Sequence, residues 1–322
     1  MGRMLYAECA SGISGDMTVG ALLDLGADKE KLLQVLDTVP ADGFRVEISR
    51  VKKSGIDCMD FDVILDAAHE NHDHDMEYLY GHEHEGHHGH CHRHDAEHEE
   101  GHHGHCHRHD AEHEEGHHGH CHGHDTEHEE EHHCCHAHDA EHAHDGHHHH
   151  HEHRGLPEIL RILDDTRMEE SARALAKRVF TILAEAEARA HGIPVEEVHF
   201  HEVGAIDSIV DIIAIAVCFD DLKITDVIVK SVTEGTGTVR CQHGILPVPV
   251  PAVTAIAQRY ALPIRIADVR GELVTPTGAA FLAAVSTSNT LPESFRIQAT
   301  GLGAGKRTYE LPGFLRMMII DK

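Results

Sequence analysis

Hydrophobic and polar positions alternate with two different periods along the chain, and together the two periods predict an α/β fold. Period-two alternation predicts strands, whereas apolar positions three and four residues apart predict helices. Strands are predicted at residues 4–8, 44–48, 61–65, 226–232 and 315–320. Helices are predicted from about residue 17 and at residues 156–163, 169–191, 206–222, 252–260 and 279–285. The helix at 206–222 is apolar on nearly all sides, which predicts that it is buried.

The globular pattern stops between Ala67 and Gly155, where a repeat takes its place. Residues 86–100 read GHHGHCHRHDAEHEE, residues 101–115 repeat this without change, and residues 116–130 differ from it at two positions. The segment has almost no apolar side chain to bury, so we expect it to be disordered without metal. The chain therefore divides into three parts: 1–68 and 155–322 as one globular α/β domain, and 69–154 as a His-rich insertion.

Charge is concentrated in the same segment. The net charge is −29, and residues 66–153 hold 24 of the 56 acidic residues but only 2 of the 27 basic ones. The sequence contains no basic cluster of the kind that predicts nucleic-acid binding. It also contains no apolar run long enough to predict a membrane span or a signal peptide. Nine cysteines without a secretory context predict reduced thiols in a cytoplasmic protein.

The insertion is the strongest candidate for metal binding. It contains 35 of the 39 histidines, between His69 and His153. Imidazole and thiolate at this density bind nickel, zinc or copper, with an affinity that falls as histidine becomes protonated. The alternative is a solvated tract without a role. The candidate ligands are repeated three times: His90, Cys91, His92, His105, Cys106, His107, His120, Cys121 and His122.

A second candidate site begins just before the buried helix. His199, His201 and Glu202 precede it, and Asp207 and Asp211 lie one turn apart on one of its faces. Polar groups beside a buried helix are costly without partners, so we predict a divalent-metal or proton-transfer site that uses all five. The alternative is that Asp207 caps the helix and the histidines are ordinary surface groups. The spacing lacks the second histidine of H-E-x-x-H, so a zincin protease is not supported.

Two glycine-containing loops are candidates for binding a phosphate. The first joins the strand at 4–8 to the next helix, and its candidate residues are Ser11, Gly12, Ser14, Gly15 and Asp16. A tight turn with Ser14 or Asp16 as helix cap explains it equally well, and Asp16 is alternatively a metal ligand. The second is the predicted loop 301–308, where Lys306 suits a phosphate or carboxylate. It is not a P-loop, because Arg307 stands where Ser or Thr is required.

Two further features lie between residues 241 and 278. Cys241 and His243 have the spacing of a soft metal-ligand pair, although two residues alone are more often structural. The prolines at 247, 249 and 251 predict that no regular element forms before the helix at 252–260. Thr275 and Pro276 predict a helix start, with Thr275 as the cap.

Four stretches of the chain resemble the LarC family of nickel-insertion proteins. They are SGISGDM at 11–17, the motif at 197–211, HGILPVP at 243–249 and GELVTPTGAA at 271–280. The resemblance covers nearly all of the chain outside the repeat, in the expected order, and a His-rich insertion at this place is also similar to the family.

The resemblance implies a CTP-dependent cyclometallase, a lyase that places Ni(II) into pyridinium-3,5-bisthiocarboxylic acid mononucleotide and makes Ni–C and Ni–S bonds. It also implies Mg(II) or Mn(II) with the nucleotide, and delivery of the product to a lactate racemase-type apo-enzyme. Typical members continue into a C-terminal domain, to which the CTP site is attributed. We therefore expect a separately encoded C-terminal part as a partner. The alternative function is a non-catalytic nickel or zinc storage protein or metallochaperone, and a third is a metal-responsive module that binds the C-terminal part.

Overall fold

The elements follow the predicted order in a computed structural model that describes residues 3–66, 76–80, 154–200 and 205–321. The strands are β1 (Arg3–Glu8), β2 (Phe44–Lys53), β3 (Ile56–Leu65), β4 (Arg154–Gly155), β5 (His199–Phe200), β6 (Ile224–Ile228), β7 (Val232–Thr236), β8 (Thr238–Cys241), β9 (Gly244–Pro247), β10 (Ile264–Arg270), β11 (Arg296–Ala304) and β12 (Phe314–Asp321). The helices are α1 (Gly15–Asp24), α2 (Lys29–Leu36), α3 (Met76–Tyr80), α4 (Leu156–Asp165), α5 (Glu170–His191), α6 (Ile206–Asp221), α7 (Pro251–Tyr260) and α8 (Pro276–Val285). The predicted α/β class is confirmed.

A six-stranded mixed sheet in the order β2-β3-β11-β12-β1-β6 carries the fold. Strand β12 runs antiparallel to both of its neighbours, and β6 runs parallel to β1. Alternation along β12 divides the buried residues between two faces. Leu315 and Met317 belong to the main core, whereas Met318 and Ile320 pack with Ile228 in a smaller cluster.

Helix α1 lies directly against the sheet, and glycines on β11 allow the close approach. A Cβ on Gly301 would overlap the carbonyl oxygen of Ala21, and a Cβ on Gly303 would overlap that of Met17. The predicted glycine-rich loop at 301–308 is therefore wrong for its first four residues, which belong to β11. The glycines there make room for a helix and do not cradle an anion.

The remaining long helices form a layer in which α6 is central. It contacts α1, α2 and α5, while α5 also contacts α7 and α8. Its residues from Ile212 to Cys218 are all buried, as the apolar pattern predicts. Phe219 meets Phe281 of α8 edge to face, with ring centroids 5.7 Å apart. Within the described ranges, no helix is both long and apolar enough to cross a membrane.

Two sequence predictions in the second half are wrong. The strand predicted at 226–232 is two strands, since β6 pairs with β1 in the large sheet and β7 pairs with β10 in a separate one. The region predicted to be irregular holds a hairpin of β8 and β9. It forms because the prolines do not interrupt it: Pro247 occupies the last ladder pair, and Pro249 follows the strand.

The α1–β11 packing predicts a large stability effect of one methyl group. Gly303→Ala forces a Cβ against a helix carbonyl that cannot rotate away, so we expect a loss of about 3 kcal/mol in the free energy of unfolding. Gly155→Ala is the matched control, because its nearest neighbours lie at 3.6 Å and 3.7 Å. Urea denaturation of both variants checks the prediction, and equal losses would contradict it.

Candidate functional site

A cavity of about 270 Å³ opens where the first turns of α1 and α6 meet. A smaller pocket of about 60 Å³ adjoins it and shares Ser14, Asp16, Lys306 and Arg307 with it. The polar lining comes from α1, α5, α6, β3, the β8–β9 hairpin, the segment before α8 and the segment after β11. Its charged and metal-ligating residues are Asp16, Asp62, Glu187, His191, Asp207, Asp211, Arg240, Cys241, His243, Glu272, Lys306 and Arg307.

Three aspartates form the centre of this cavity. Asp16 is the second residue of α1, Asp207 is the second residue of α6, and Asp211 lies one turn further along α6. The helices touch here so closely that a Cβ on Gly15 would collide with the Asp211 carboxylate. The positive ends of two helix dipoles therefore face three carboxylates.

Burial leaves part of this carboxylate group unsatisfied. Asp16 is 8% exposed, and its Oδ1 accepts a hydrogen bond from the Ser14 hydroxyl. Asp16 Oδ2 and Asp211 Oδ1 are buried, and no described residue donates a hydrogen bond to either. Buried carboxylate oxygens without donors are costly unless a proton or a cation neutralises them.

The electrostatics of the group favour a bound proton or cation. Burial raises the pKa of Asp211 well above its ordinary range, and the charges of Asp16 and Asp207 raise it further. Lys306 acts in the opposite direction. Asp211 therefore holds a proton more readily than an ordinary aspartate does, and an incoming divalent cation would displace that proton.

Lys306 lies at the edge of the cavity but is held by acidic side chains. Its Nζ is 2.8 Å and 2.9 Å from the two carboxylate oxygens of Asp60, and 3.3 Å from Asp62 Oδ1. Burial opposes its charge, but the hydrogen bond to Asp60 and the nearby carboxylates outweigh burial and raise its pKa. The predicted phosphate-binding lysine is thus the counter-charge of an acidic cavity.

Arg307 is held in the same way by the segment before α8. Its Nη1 is 2.5 Å from Glu272 Oε2, in a setting where both side chains are largely buried. Tyr309 donates to the Glu272 carbonyl at 2.9 Å, and Tyr80 accepts from the Glu272 backbone N–H at 3.1 Å. The two tyrosine hydroxyls are 2.7 Å apart. Tyr80, the last residue of α3, is thereby fixed beside the cavity.

Glu234 of β7 binds the backbone of the segment before α8. It is fully buried, and its Oε1 accepts backbone N–H groups of Gly235, Leu273 and Val274 at 2.8–3.2 Å. Leu273 in turn accepts from the N–H of Ile13 at 2.9 Å. Glu234 therefore fixes the loop before α8 and, through it, the loop that leads into α1.

A second set of polar side chains lies on the wall formed by α5 and the hairpin. Cys241 Sγ is 3.9 Å from His243 Nδ1. The His243 ring lies 4.9 Å, centroid to centroid, from the ring of His191, the last residue of α5. Glu187 Oε2 is 3.5 Å from His191 Nε2. Imidazole and thiol thus share the cavity with carboxylates.

The structure brings together part of the site predicted from sequence. Ser14, Gly15, Asp16, Asp207, Asp211, His243 and Lys306 line the main cavity, and Ser11 lines the smaller pocket. Gly12 makes the turn that packs against Leu273, with φ of +86°. His199 is exposed on β5 and is not among the described lining residues. His201, Glu202 and every candidate ligand of the insertion lie outside the described residues.

Some residues of the cavity were not predicted. Asp62 lines the cavity, and Asp60 pairs with Lys306 at its edge. The two flank buried Phe61 on β3, and period-two alternation could have placed both on one face. Glu272, Glu187 and His191 gave no sequence signal of their own. In the described part of the chain, no group of three or more His, Cys, Asp or Glu side chains is arranged so that it could bind a metal ion. The carboxylate and imidazole–thiol groups are partial ligand sets.

The family model and the similar proteins that match this chain all belong to the same family. The model of the family described as nickel insertion protein matches residues 5–322. The pyridinium-3,5-bisthiocarboxylic acid mononucleotide nickel insertion protein of Alkaliphilus metalliredigens is 41% identical over 322 residues, covering 100% of this chain and 61% of that protein. The protein of the same name in Clostridium acetobutylicum is 39% identical over 318 residues, covering 98% and 64%. The chain thus spans about 60% of the length of these relatives. No solved structure matches it significantly.

Burial of Glu234 predicts a pH-dependent stability. Burial raises its pKa from 4.5 to about 7, with the hydrogen bonds from Leu273 and Gly235 acting against the shift. An acid whose pKa is raised on folding stabilises the fold fully below pH 4.5, and that contribution is lost as the pH rises through 7. The loss is on the order of 3 kcal/mol for this shift.

Glu234→Gln removes this titration. Between pH 4.5 and 8, the free energy of unfolding of the wild type should therefore fall relative to that of the variant. Glu293→Gln, at an exposed loop position, is the control and should follow the wild type at every pH. Urea denaturation at five pH values tests this, and a constant difference between wild type and E234Q would contradict it.

Proposed function

Because the chain belongs to the nickel insertion protein family, we propose that it inserts nickel into pyridinium-3,5-bisthiocarboxylic acid mononucleotide. The observation that carries the proposal is the meeting of three aspartates at two helix N-termini, where Asp16 Oδ2 and Asp211 Oδ1 are buried and accept no hydrogen bond from a described residue. The cavity of about 270 Å³ is near the lower limit of small-molecule sites and is open at one side.

The aspartates suit both parts of the reaction. Forming the Ni–C bond requires loss of the proton from the ring carbon, and forming the Ni–S bonds requires deprotonated thiocarboxylates. Asp211 would act as the base, because burial and the neighbouring carboxylates raise its pKa and so increase its affinity for a proton. Asp16 and Asp207 offer oxygens to the incoming cation. We propose that His199, His201 and Glu202, which precede α6 in sequence, assist in holding nickel.

A nucleotide with Mg(II) or Mn(II) also fits this donor set. Hard divalent cations prefer carboxylate oxygens, and Asp16 Oδ2 and Asp211 Oδ1 are such oxygens. A bare phosphate at the α1 N-terminus would be repelled by Asp16, whereas a cation between them would remove the repulsion. Ser11, Ser14 and Gly15 would then line the phosphate side, with CTP itself bound mainly by the C-terminal part.

The further partners follow from the same proposal. The substrate is the pyridinium mononucleotide, the separately encoded C-terminal part completes the enzyme, and a lactate racemase-type apo-enzyme receives the product in the cytoplasm. The enzyme would be a CTP-dependent lyase, and this chain would be inactive alone.

Storage of nickel is the competing function, and the 35 histidines of the insertion favour it. Replacing residues 84–147 with a short linker separates the two. An inserting enzyme should keep its turnover at saturating nickel and need more nickel to reach it. A store should lose most of its metal capacity and have no turnover before or after the change.

Asp211→Asn should lower the rate of nickel insertion by at least about 100-fold, because it removes the base and one oxygen of the cation site. Asp165→Asn, at an exposed position at the end of α4, is the matched control and should keep the wild-type rate. The assay follows the metallated nucleotide by its absorbance and mass, with CTP and Mg(II) or Mn(II) present.

The same assay decides whether the chain acts alone. We expect no product from residues 1–322 by themselves and full turnover when the C-terminal part is added. Product from the chain alone would remove the partner from the proposal. Absence of product in both cases, or a wild-type rate for D211N, would overturn the assignment of insertion to this cavity.

A further inference from the structure

The wall formed by α5 and the β8–β9 hairpin differs in chemistry from the carboxylate side of the cavity. It presents one thiol and two imidazoles, from Cys241, His243 and His191, within a few ångströms of each other. Thiolate and imidazole are soft and borderline donors that select nickel, zinc or copper over magnesium. Residues 50 positions apart in sequence converge here because α5 ends beside the hairpin turn.

Cys241 differs from the other described cysteines in its accessibility. Cys9, Cys58 and Cys218 are buried, and burial raises the pKa of all three thiols, that of Cys9 to about 12. Their thiolates are therefore suppressed at neutral pH. Cys241 is only partly buried, at the end of β8, where a metal ion in the cavity can reach it.

The distances are close to those of a metal-bound set. A tetrahedral or square-planar ion with one sulfur and one nitrogen ligand places those adjacent atoms about 3.1 to 3.6 Å apart. Cys241 Sγ and His243 Nδ1 are 3.9 Å apart, so a small side-chain rotation closes the pair. Cys241 is the last residue of β8 and is paired with Gly244, and His243 is the second residue of the two-residue turn between them, so the hairpin holds the two residues close together.

His191 supplies the third donor by a rotation of its ring. Glu187 Oε2 lies 3.5 Å from its Nε2, on the preceding turn of the same helix. Metal-ligating histidines commonly direct one ring nitrogen to a carboxylate, which leaves the other for the metal. Because the side chain is at a helix end and exposed, rotamer exchange is fast and the set closes only when an ion is present.

We propose that Cys241, His243 and His191 form a transit site for nickel(II) in the wall of the reaction cavity. Binding exchanges the thiol proton of Cys241 for the metal and releases that proton to solvent, while the two imidazoles bind as neutral ligands. The ion then passes to the carboxylate side, where insertion takes place. The second step rests on the proposed function, whereas the binding step does not.

The test uses the full chain and nickel sulfate alone. Nickel is added beyond saturation of the insertion, N-ethylmaleimide is applied for a short time, and the Cys241 peptide is quantified by mass spectrometry. Because trypsin cleaves after Arg240 and Arg259, Cys241 is the single cysteine of its peptide, and the cysteines of the insertion do not interfere with its quantification. We expect nickel to slow alkylation of Cys241 at least tenfold, and magnesium to have no effect.

Three variants decide which residues hold the ion. His243→Ala and His191→Ala should each remove most of the protection, while Gln242→Ala, an exposed position in the same hairpin turn, is the matched control and should retain it. Protection that survives in both H243A and H191A, equal loss in Q242A, or protection by magnesium would each overturn the transit site. Thermal melting of each variant confirms that it is folded.

The dependence of the insertion rate on nickel concentration tests whether this site supplies nickel for insertion. Cys241→Ser should raise the nickel concentration that gives half-maximal insertion and leave the maximal rate within about twofold. A lower maximal rate at unchanged nickel dependence would overturn the transit role. If no insertion occurs under any condition, the alkylation result still decides whether the metal site exists.

Discussion

The close contact between α1 and its neighbours is the constraint on which the cavity depends. Gly301 and Gly303 let α1 lie on the sheet, and Gly15 lets its first turn touch α6. Because both helices begin at this contact, their acidic residues cannot separate. The core therefore forces together Asp16 and Asp211, which would repel each other in water. A fold that tolerates this arrangement needs a proton, a cation or a nearby lysine, and the raised pKa of Asp211 is the direct sign of that need.

Counter-charges surround the cavity without filling it. Lys306 and Arg307 are next to each other in sequence, yet they pair with different carboxylates, Asp60 and Glu272, on different elements. Each pair crosses between the segment after β11 and another part of the fold. Removing one partner from such a buried pair leaves an uncompensated charge, so these side chains are held in place. The cavity keeps an acidic interior while its rim carries balanced pairs.

The sequence was sufficient to predict most of the long helices and the acidic residues of α1 and α6. It did not predict α2, β10, β11 or the β8–β9 hairpin, nor which side chains meet in the cavity. Period-two and helical patterns depend on which side of an element is buried, and they correctly predict α5, α6 and β12. Asp207 and Asp211 were found because polar residues in an apolar helix are conspicuous. Residues such as Glu272 and His191 have no such contrast with their neighbours. Their place in the cavity arises from packing between elements distant in sequence, which no local pattern contains.

The same reasoning explains the errors at Gly301 and in the proline-rich segment. Glycines occur in loops and also in strands that another backbone approaches closely, so their number alone does not distinguish the two. Prolines exclude a ladder only where a backbone N–H must donate, and Pro247 stands at the end of its hairpin. Both errors came from interpreting residue type without its tertiary partner.

Incomplete ligand sets suit transfer better than storage. Structural metal sites surround the ion with four protein ligands and release it slowly, whereas sites that react or exchange keep positions open. Within the described residues, the carboxylate group and the imidazole–thiol group each stop short of a closed set. They differ in softness and lie in one cavity, so under the proposed function nickel would bind first at one and then, with the substrate, at the other. In that reaction the ion would finally bond to carbon and sulfur and leave its protein ligands, and incomplete donor sets would make that departure easier.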